Sequence, residues 1–77
     1  MSRWNPCRRG EFIRRLRKLG FEGLYSGSKH QFMIFGQQRL TIPSNTEYST
    51  SQLRMMIREV ETILDRKIDA TEWDDMS

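Results

Sequence analysis

Hydrophobic positions follow a helical spacing near the start of the chain, over residues 8–19. Apolar residues there recur at intervals of three and four, with arginine and lysine on the opposite side. This pattern predicts a first helix from Arg8 to Leu19. Gly20 follows the last apolar position, where a glycine readily adopts the left-handed conformation that ends a helix. The apolar positions are Phe12, Ile13, Leu16 and Leu19.

Three short runs rich in β-branched and aromatic residues come next: Phe21–Ser26, Lys29–Phe35 and Gln38–Pro43. Short gaps that contain glycine separate them, which predicts tight hairpins and a three-stranded antiparallel meander. Pro43 ends the third strand, because proline has no N–H to donate to a strand ladder. Residues 44–48 are predicted to form a polar loop.

A second apolar stripe predicts a second helix that extends to about Arg66. Ser49 has the character of an N-cap, and Gln52 three residues later completes a capping-box pattern. The tail after this helix predicts a short terminal turn, with Trp73 folding back on the domain. The stripe consists of Leu53, Met56, Ile57, Val60, Ile63 and Leu64.

The predicted element order is αβββα, in a single α+β domain over residues 1–77. Each helix has one apolar stripe, so both helices should pack on one face of the antiparallel sheet and leave the other face open. In the third strand, Leu40 and Ile42 should face the helices.

The face of the second strand is ambiguous, because both alternating sets of its residues contain apolar side chains. We expect His30 to point outward, since an imidazole at the first residue of a strand beside a glycine turn is rarely needed for packing. Phe32 and Ile34 would then form an exposed apolar strip, which usually marks a partner site. In the alternative register, Met33 and Phe35 are exposed instead.

Charge is unevenly distributed along this chain, whose net charge is +3. Residues 1–40 carry nine basic and two acidic side chains, whereas residues 41–77 carry four basic and eight acidic ones. This asymmetry indicates that one face meets a polyanion, with a solvated charged surface as the alternative. A single cysteine, Cys7, excludes an intramolecular disulfide and favours a reducing compartment. With no apolar run typical of a signal peptide or membrane span, we expect a cytoplasmic location.

His30 is the only histidine. Near an RNA backbone it could take the 2′-hydroxyl proton, so that this oxygen attacks the adjacent phosphate. Lys29 or the backbone N–H groups of Gly27 and Ser28 would offset the developing charge. No second histidine is present to protonate the leaving 5′-oxygen, so Tyr25, Lys29 or water would have to serve. On spacing alone, a lone surface histidine is more often a bystander.

Four segments of the chain stand out: GEFIRRLRKLGF (10–21), GSKHQF (27–32), RLTIP (39–43) and LRMMI (53–57). Together they resemble the HicA family of toxins, which are small mRNA interferases that pair with a HicB antitoxin. The resemblance covers about residues 10–66 and implies a double-stranded-RNA-binding-like fold, with residues 67–77 as a C-terminal extension. That extension could be a dimer surface, an added cap or a stabiliser of a small core, so a homo-oligomer is left open.

The resemblance also implies an active site. The Gly-Ser-x-His motif of the family maps onto Gly27, Ser28 and His30, which makes His30 the catalytic residue. Lys29 completes this loop at a position where many members have a second histidine. Family members are described as cutting RNA without a metal, so no metal or other cofactor is expected. Gly27 itself is expected to serve the turn by permitting positive φ.

Several basic residues are candidates for holding RNA phosphates. A solubilising helix face, or contact with an acidic antitoxin, explains the helical ones equally well. Three functions therefore follow from the sequence: a ribonuclease toxin, a non-catalytic RNA-binding module of the same fold, and a protein-interaction domain. The candidate RNA contacts are Lys29, Arg14, Arg17, Lys18 and Arg39.

Overall fold

The structure is a computed structural model that describes residues 3–76. These residues form an α+β arrangement with a three-stranded antiparallel sheet, a two-stranded ribbon and three helices. No helix within residues 3–76 has the length and apolar character needed to cross a membrane. In chain order the elements are β1 (Cys7–Arg8), α1 (Arg9–Leu19), β2 (Glu22–Ser26), β3 (Gln31–Phe35), β4 (Gln38–Ile42), β5 (Glu47–Tyr48), α2 (Thr50–Leu64) and α3 (Ala70–Asp75).

The first predicted helix is confirmed as α1, which starts one residue later than expected. Gly20 has a φ of 108°, and its N–H donates to the Arg17 carbonyl at 3.1 Å. The Phe21 N–H donates to the Leu16 carbonyl at 3.0 Å. The glycine therefore ends the helix as its position in the sequence predicts.

The second predicted helix is confirmed as α2, and both of its ends have local causes. The Ser49 hydroxyl accepts a hydrogen bond from the Gln52 N–H at 3.2 Å, as an N-cap does. The Gln52 side chain instead donates to the Asn45 side-chain oxygen at 3.3 Å, so only half of the capping box forms. The helix stops at Leu64 rather than Arg66, because Asp65 adopts the left-handed conformation with a φ of 57°.

The predicted meander is confirmed, in the spatial order β2-β3-β4. Met33 pairs with Leu40 across β3 and β4, and both side chains are buried on the helix side. Phe32 and Ile34 therefore face outward, which resolves the ambiguous strand in the expected direction. β3 starts at Gln31, so His30 lies in the preceding turn rather than in the strand, where the sequence predicted it.

The hydrophobic core lies between the inner face of this sheet and helices α1 and α2. Phe12 of α1 packs edge-to-face on Tyr48, with ring centroids 5.4 Å apart. The opposite sheet face carries none of the fully buried side chains and stays open. The largest fully buried side chains are Tyr48, Phe12, Leu16, Met33, Leu40, Ile42, Leu53 and Val60.

A two-stranded ribbon was not predicted from the sequence. β1 pairs with β5 through Cys7 opposite Tyr48 and Arg8 opposite Glu47. The region predicted as a polar loop therefore contains a short strand. The ribbon joins the start of α1 to the segment that leads into α2, so the N-terminal ends of both helices are held together.

The C-terminal tail forms a third helix, α3, and its position confirms that Trp73 folds back on the domain. The Asp69 side chain caps α3 by accepting from the Glu72 N–H at 2.8 Å. Ile68 and Trp73 are 3% and 2% exposed, and the Trp73 ring lies 5.5 Å from that of Phe12. The tail is thus a cap that contributes side chains to the core.

Candidate functional site

The turn that contains His30 connects β2 to β3 and is held by its own backbone. The Gly27 N–H donates to the His30 carbonyl at 3.0 Å. Residues 27–30 are all exposed. Within the described residues, the side chains of Ser28, Lys29 and His30 make no hydrogen bond or ion pair. A fixed backbone with unengaged side chains leaves these groups available to a ligand.

Gly27 is required by close approach and not, as expected from the sequence, by positive φ. The glycines with positive φ are Gly20, Gly23 and Gly36. A Cβ atom at Gly27 would lie 2.6 Å from the His30 carbonyl oxygen and 3.4 Å from the Phe32 ring. The missing side chain therefore lets the two ends of the turn meet beside that ring.

The open sheet face next to this turn carries two aromatic side chains and an arginine that contact one another. Tyr25 lies opposite Phe32 across β2 and β3, with ring centroids 5.8 Å apart. The Arg39 guanidinium lies over the Phe32 ring, 4.3 Å from its centroid. Phe32 and Ile34 are only half-exposed, so the apolar strip predicted here is smaller than expected. Tyr25 is 43% exposed.

The basic cluster on α1 lies away from the His30 turn. The helix begins beside β3, since Arg9 donates to the Gln31 side chain, and ends near the β3–β4 hairpin. Arg14, Arg17 and Lys18 follow Arg9 by five, eight and nine residues, which places them about 7 to 14 Å farther along the helix axis. Arg14 is held by Glu11, and Arg17 donates to the Gly23 carbonyl at 2.9 Å. Three of the candidate RNA contacts are therefore not assembled with His30.

Arg9 was missed by the sequence analysis, although it anchors the strand that follows His30. Its Nε donates to the Pro43 carbonyl at 2.9 Å, and its guanidinium reaches Gln31. The same carbonyl accepts from the Tyr48 hydroxyl at 2.7 Å, and burial raises the pKa of that hydroxyl. Arg8 and Arg9 lie at the start of the helix, but nothing in their spacing indicates which arginine turns toward the sheet.

Two other potential reactive groups lie outside this site. Cys7 is buried at the ribbon, and burial raises the pKa of its thiol. No group of three or more His, Cys, Asp or Glu side chains within residues 3–76 is arranged to hold a metal ion. Among the described residues, the candidate site is therefore the β2–β3 turn, where the side chains of Ser28, Lys29 and His30 are exposed and make no hydrogen bond.

Comparisons of the chain with protein-family models, with curated proteins and with solved structures found no match. The structure itself defines the class of protein: an α+β domain with an open antiparallel sheet face and an exposed turn that contains His30. The HicA resemblance stays a prediction that depends on the four segments quoted above.

Proposed function

We propose that the protein is a ribonuclease toxin of the HicA type that cleaves mRNA in the cytoplasm without a metal, on a double-stranded-RNA-binding-like fold. The observation that supports this most directly is the exposed His30 in a turn held by the Gly27 N–H. An imidazole fixed by its backbone, with an unengaged side chain, suits proton transfer at a bound substrate.

His30 acts as the general base in this mechanism. It removes the proton from a 2′-hydroxyl, and that oxygen attacks the adjacent phosphorus to give a 2′,3′-cyclic phosphate and a free 5′-hydroxyl. Lys29 and backbone N–H groups of the turn stabilise the charge that develops on the phosphate oxygens. Tyr25, Lys29 or water protonates the leaving 5′-oxygen.

A second candidate is a non-catalytic RNA-binding module of the same fold. The arrangement of Tyr25, Phe32 and Arg39 on the open face favours it, because aromatic and guanidinium planes bind bases without any chemistry. The chain also has no second histidine to complete an acid–base pair. In this case His30 contacts RNA or is a bystander.

A HicB-like antitoxin is the proposed protein partner. It would neutralise the toxin by covering the turn of residues 27–30, whose side chains are exposed. The distant α1 cluster of Arg14, Arg17 and Lys18 is then a second surface, for RNA phosphates or for an acidic antitoxin segment. Because α3 buries Ala70 and Trp73 in the core, only the outer surface of α3 would be available for contact in a homo-oligomer.

The test is RNA cleavage in EDTA by the wild-type protein, His30→Ala and a matched control, Arg54→Ala, which removes an exposed cation of α2 on the other side of the sheet. We expect His30→Ala to lose activity by about 10²- to 10⁴-fold. Because the side chain is exposed, its unfolding free energy should change by less than about 0.5 kcal/mol. Equal cleavage by His30→Ala and wild type would refute the catalytic assignment. Salt-sensitive RNA binding by both, without cleavage, would favour the binding module.

A further inference from the structure

Three side chains on the open face form a stack next to the His30 turn. The Phe32 ring has the Tyr25 ring 5.8 Å away and the Arg39 guanidinium 4.3 Å above it. Phe32 also adjoins the turn, since a Cβ atom at Gly27 would lie 3.4 Å from its ring. The stack is therefore continuous with the turn that presents His30.

The charges on this face complement a polyanion. Within the described residues, neither Arg39 nor Lys29 has a carboxylate within 4.0 Å. Glu22 lies on the same row as Arg39, but Ile34 separates them across β3 and they form no ion pair. Two available cations beside two aromatic rings supply what single-stranded nucleic acid needs, namely positive charge for phosphates and flat surfaces for bases.

We propose that Tyr25, Phe32 and Arg39 form a base-stacking subsite that holds one unpaired nucleotide of the RNA next to His30. The subsite rests on the proposed RNA-directed function and narrows its substrate to single-stranded RNA. In a duplex both faces of each base are covered by neighbouring bases, so only a splayed-out base can stack on protein side chains.

A protein partner fits this face less well. Of the two large hydrophobic side chains that are exposed within residues 3–76, only Tyr25 lies here, while Met55 lies on α2. A stable protein interface buries about 800 Å² on each partner around an apolar centre. The two rings and the guanidinium form a small surface that matches one base and is too small for the apolar centre of a protein interface.

The experiment measures binding to a short RNA in which every ribose carries a 2′-O-methyl group, so that the proposed attack cannot occur. Affinity is compared for this single strand and for the same strand annealed to its complement. Tyr25→Leu removes an aromatic plane, and Arg39→Lys keeps the charge while removing the guanidinium plane. Met55→Leu, at the other exposed hydrophobic position, is the matched control.

We expect the single strand to bind more tightly than the duplex. Tyr25→Leu and Arg39→Lys should each weaken single-strand binding by about 5- to 100-fold, with the salt dependence retained because no cation is lost. Met55→Leu should bind as the wild type does. If Tyr25→Leu is not fully folded, Arg39→Lys decides the question alone.

Wild-type affinity in both Tyr25→Leu and Arg39→Lys, or equal binding of single strand and duplex, would overturn the subsite and leave this face to a protein partner. The outcome is separate from that of the nuclease test, because binding is measured on RNA that cannot be cut by this route. Wild-type affinity in both variants, together with an intact His30-dependent cleavage, would refute the subsite and leave the proposed nuclease activity standing.

Discussion

Gly27 and His30 contribute to the same turn in different ways. Gly27 contributes by lacking a side chain, since any Cβ atom there would meet the His30 carbonyl oxygen at 2.6 Å. His30 contributes its carbonyl to the turn and leaves its imidazole exposed. The main chain of His30 is thus held while its side chain stays available, which suits the proposed role as a general base.

Gly27→Ala should therefore damage the turn even though residue 27 is exposed. The added Cβ atom would meet the His30 carbonyl oxygen, which belongs to the backbone and cannot rotate aside. We therefore expect a loss of about 1–3 kcal/mol in unfolding free energy, together with reduced cleavage. Urea unfolding and the cleavage assay provide the measurements.

Gly10→Ala is the matched control, because a Cβ atom at Gly10 has nothing within 4 Å and lies in α1. It should leave stability unchanged or raise it by up to about 1 kcal/mol. If Gly27→Ala were as stable and as active as Gly10→Ala, close approach would not be the reason for glycine at position 27.

At the scale of elements, the parts predictable from the sequence are those with enough residues to show a period. The stripe of α1, the stripe of α2 and the glycine-separated strands each extend over five residues or more. The ribbon of Cys7–Arg8 with Glu47–Tyr48 has only two residues on each side, and it forms because of a pairing about forty residues apart in the chain. No local pattern encodes it.

The same limit applies to the site. The position of His30 beside a glycine turn is local and could be predicted, whereas the link from Arg9 to Pro43 and Gln31 depends on where α1 docks. The outward direction of Phe32 followed from the alternation of the strand once Met33 was buried. Its stacking under Arg39 needed the register between β3 and β4.

Glu11 is linked through Arg15 to the C-terminal helix, and we expect this junction to be sensitive to acid. Hydrogen bonds from Arg15 and then Arg14 hold the pKa of Glu11 below its ordinary value of 4.5. Arg15 also donates to the Trp73 carbonyl at 3.0 Å, and its guanidinium lies over the Trp73 ring. The carboxylate therefore orients an arginine that holds α3.

A group whose pKa is lower in the folded state stabilises the protein above its unfolded pKa, and this contribution is lost as the pH falls through its folded pKa. Wild-type stability should accordingly decrease below about pH 4.5, and Glu11→Gln should show a smaller decrease because it lacks this titration. Thermal unfolding from pH 6 to 3 measures the difference. Glu59→Gln, at an exposed position of α2, should keep the wild-type profile. Identical profiles for Glu11→Gln and wild type would contradict the coupling.

At the scale of the whole molecule, the described chain has one core, and its last helix helps to close it. A domain of this size buries only about 60% of its unfolded surface, so each large buried side chain accounts for a large share of its stability. Trp73 packs on Phe12 of α1, and Ile68 enters the same core. The residues outside the HicA-like segment are thus part of what keeps the sheet and its turn folded.

Trp73→Ala should test this dependence directly. Removing a buried tryptophan costs about 3–5 kcal/mol, against about 5–15 kcal/mol for the whole of a typical domain, so the melting temperature should fall sharply. The reactivity of the Cys7 thiol gives a second measure of whether the core has opened. Cys7 lines a cavity of about 360 Å³ with Trp73. Cys7 is 7% exposed, and burial raises the pKa of its thiol. Alkylation of Cys7 should be slow in the wild type and fast in Trp73→Ala.

Asp75→Ala is the control, because it changes an exposed side chain of the same helix and leaves the core intact. It should melt and react with alkylating reagents as the wild type does. Should Trp73→Ala match Asp75→Ala in both measurements, α3 would be an appendage rather than part of the core. If Trp73→Ala unfolds the domain while His30→Ala does not, the two residues have separate roles. Trp73 then supports the fold that presents the turn, and the His30 imidazole serves the proposed chemistry without contributing to stability.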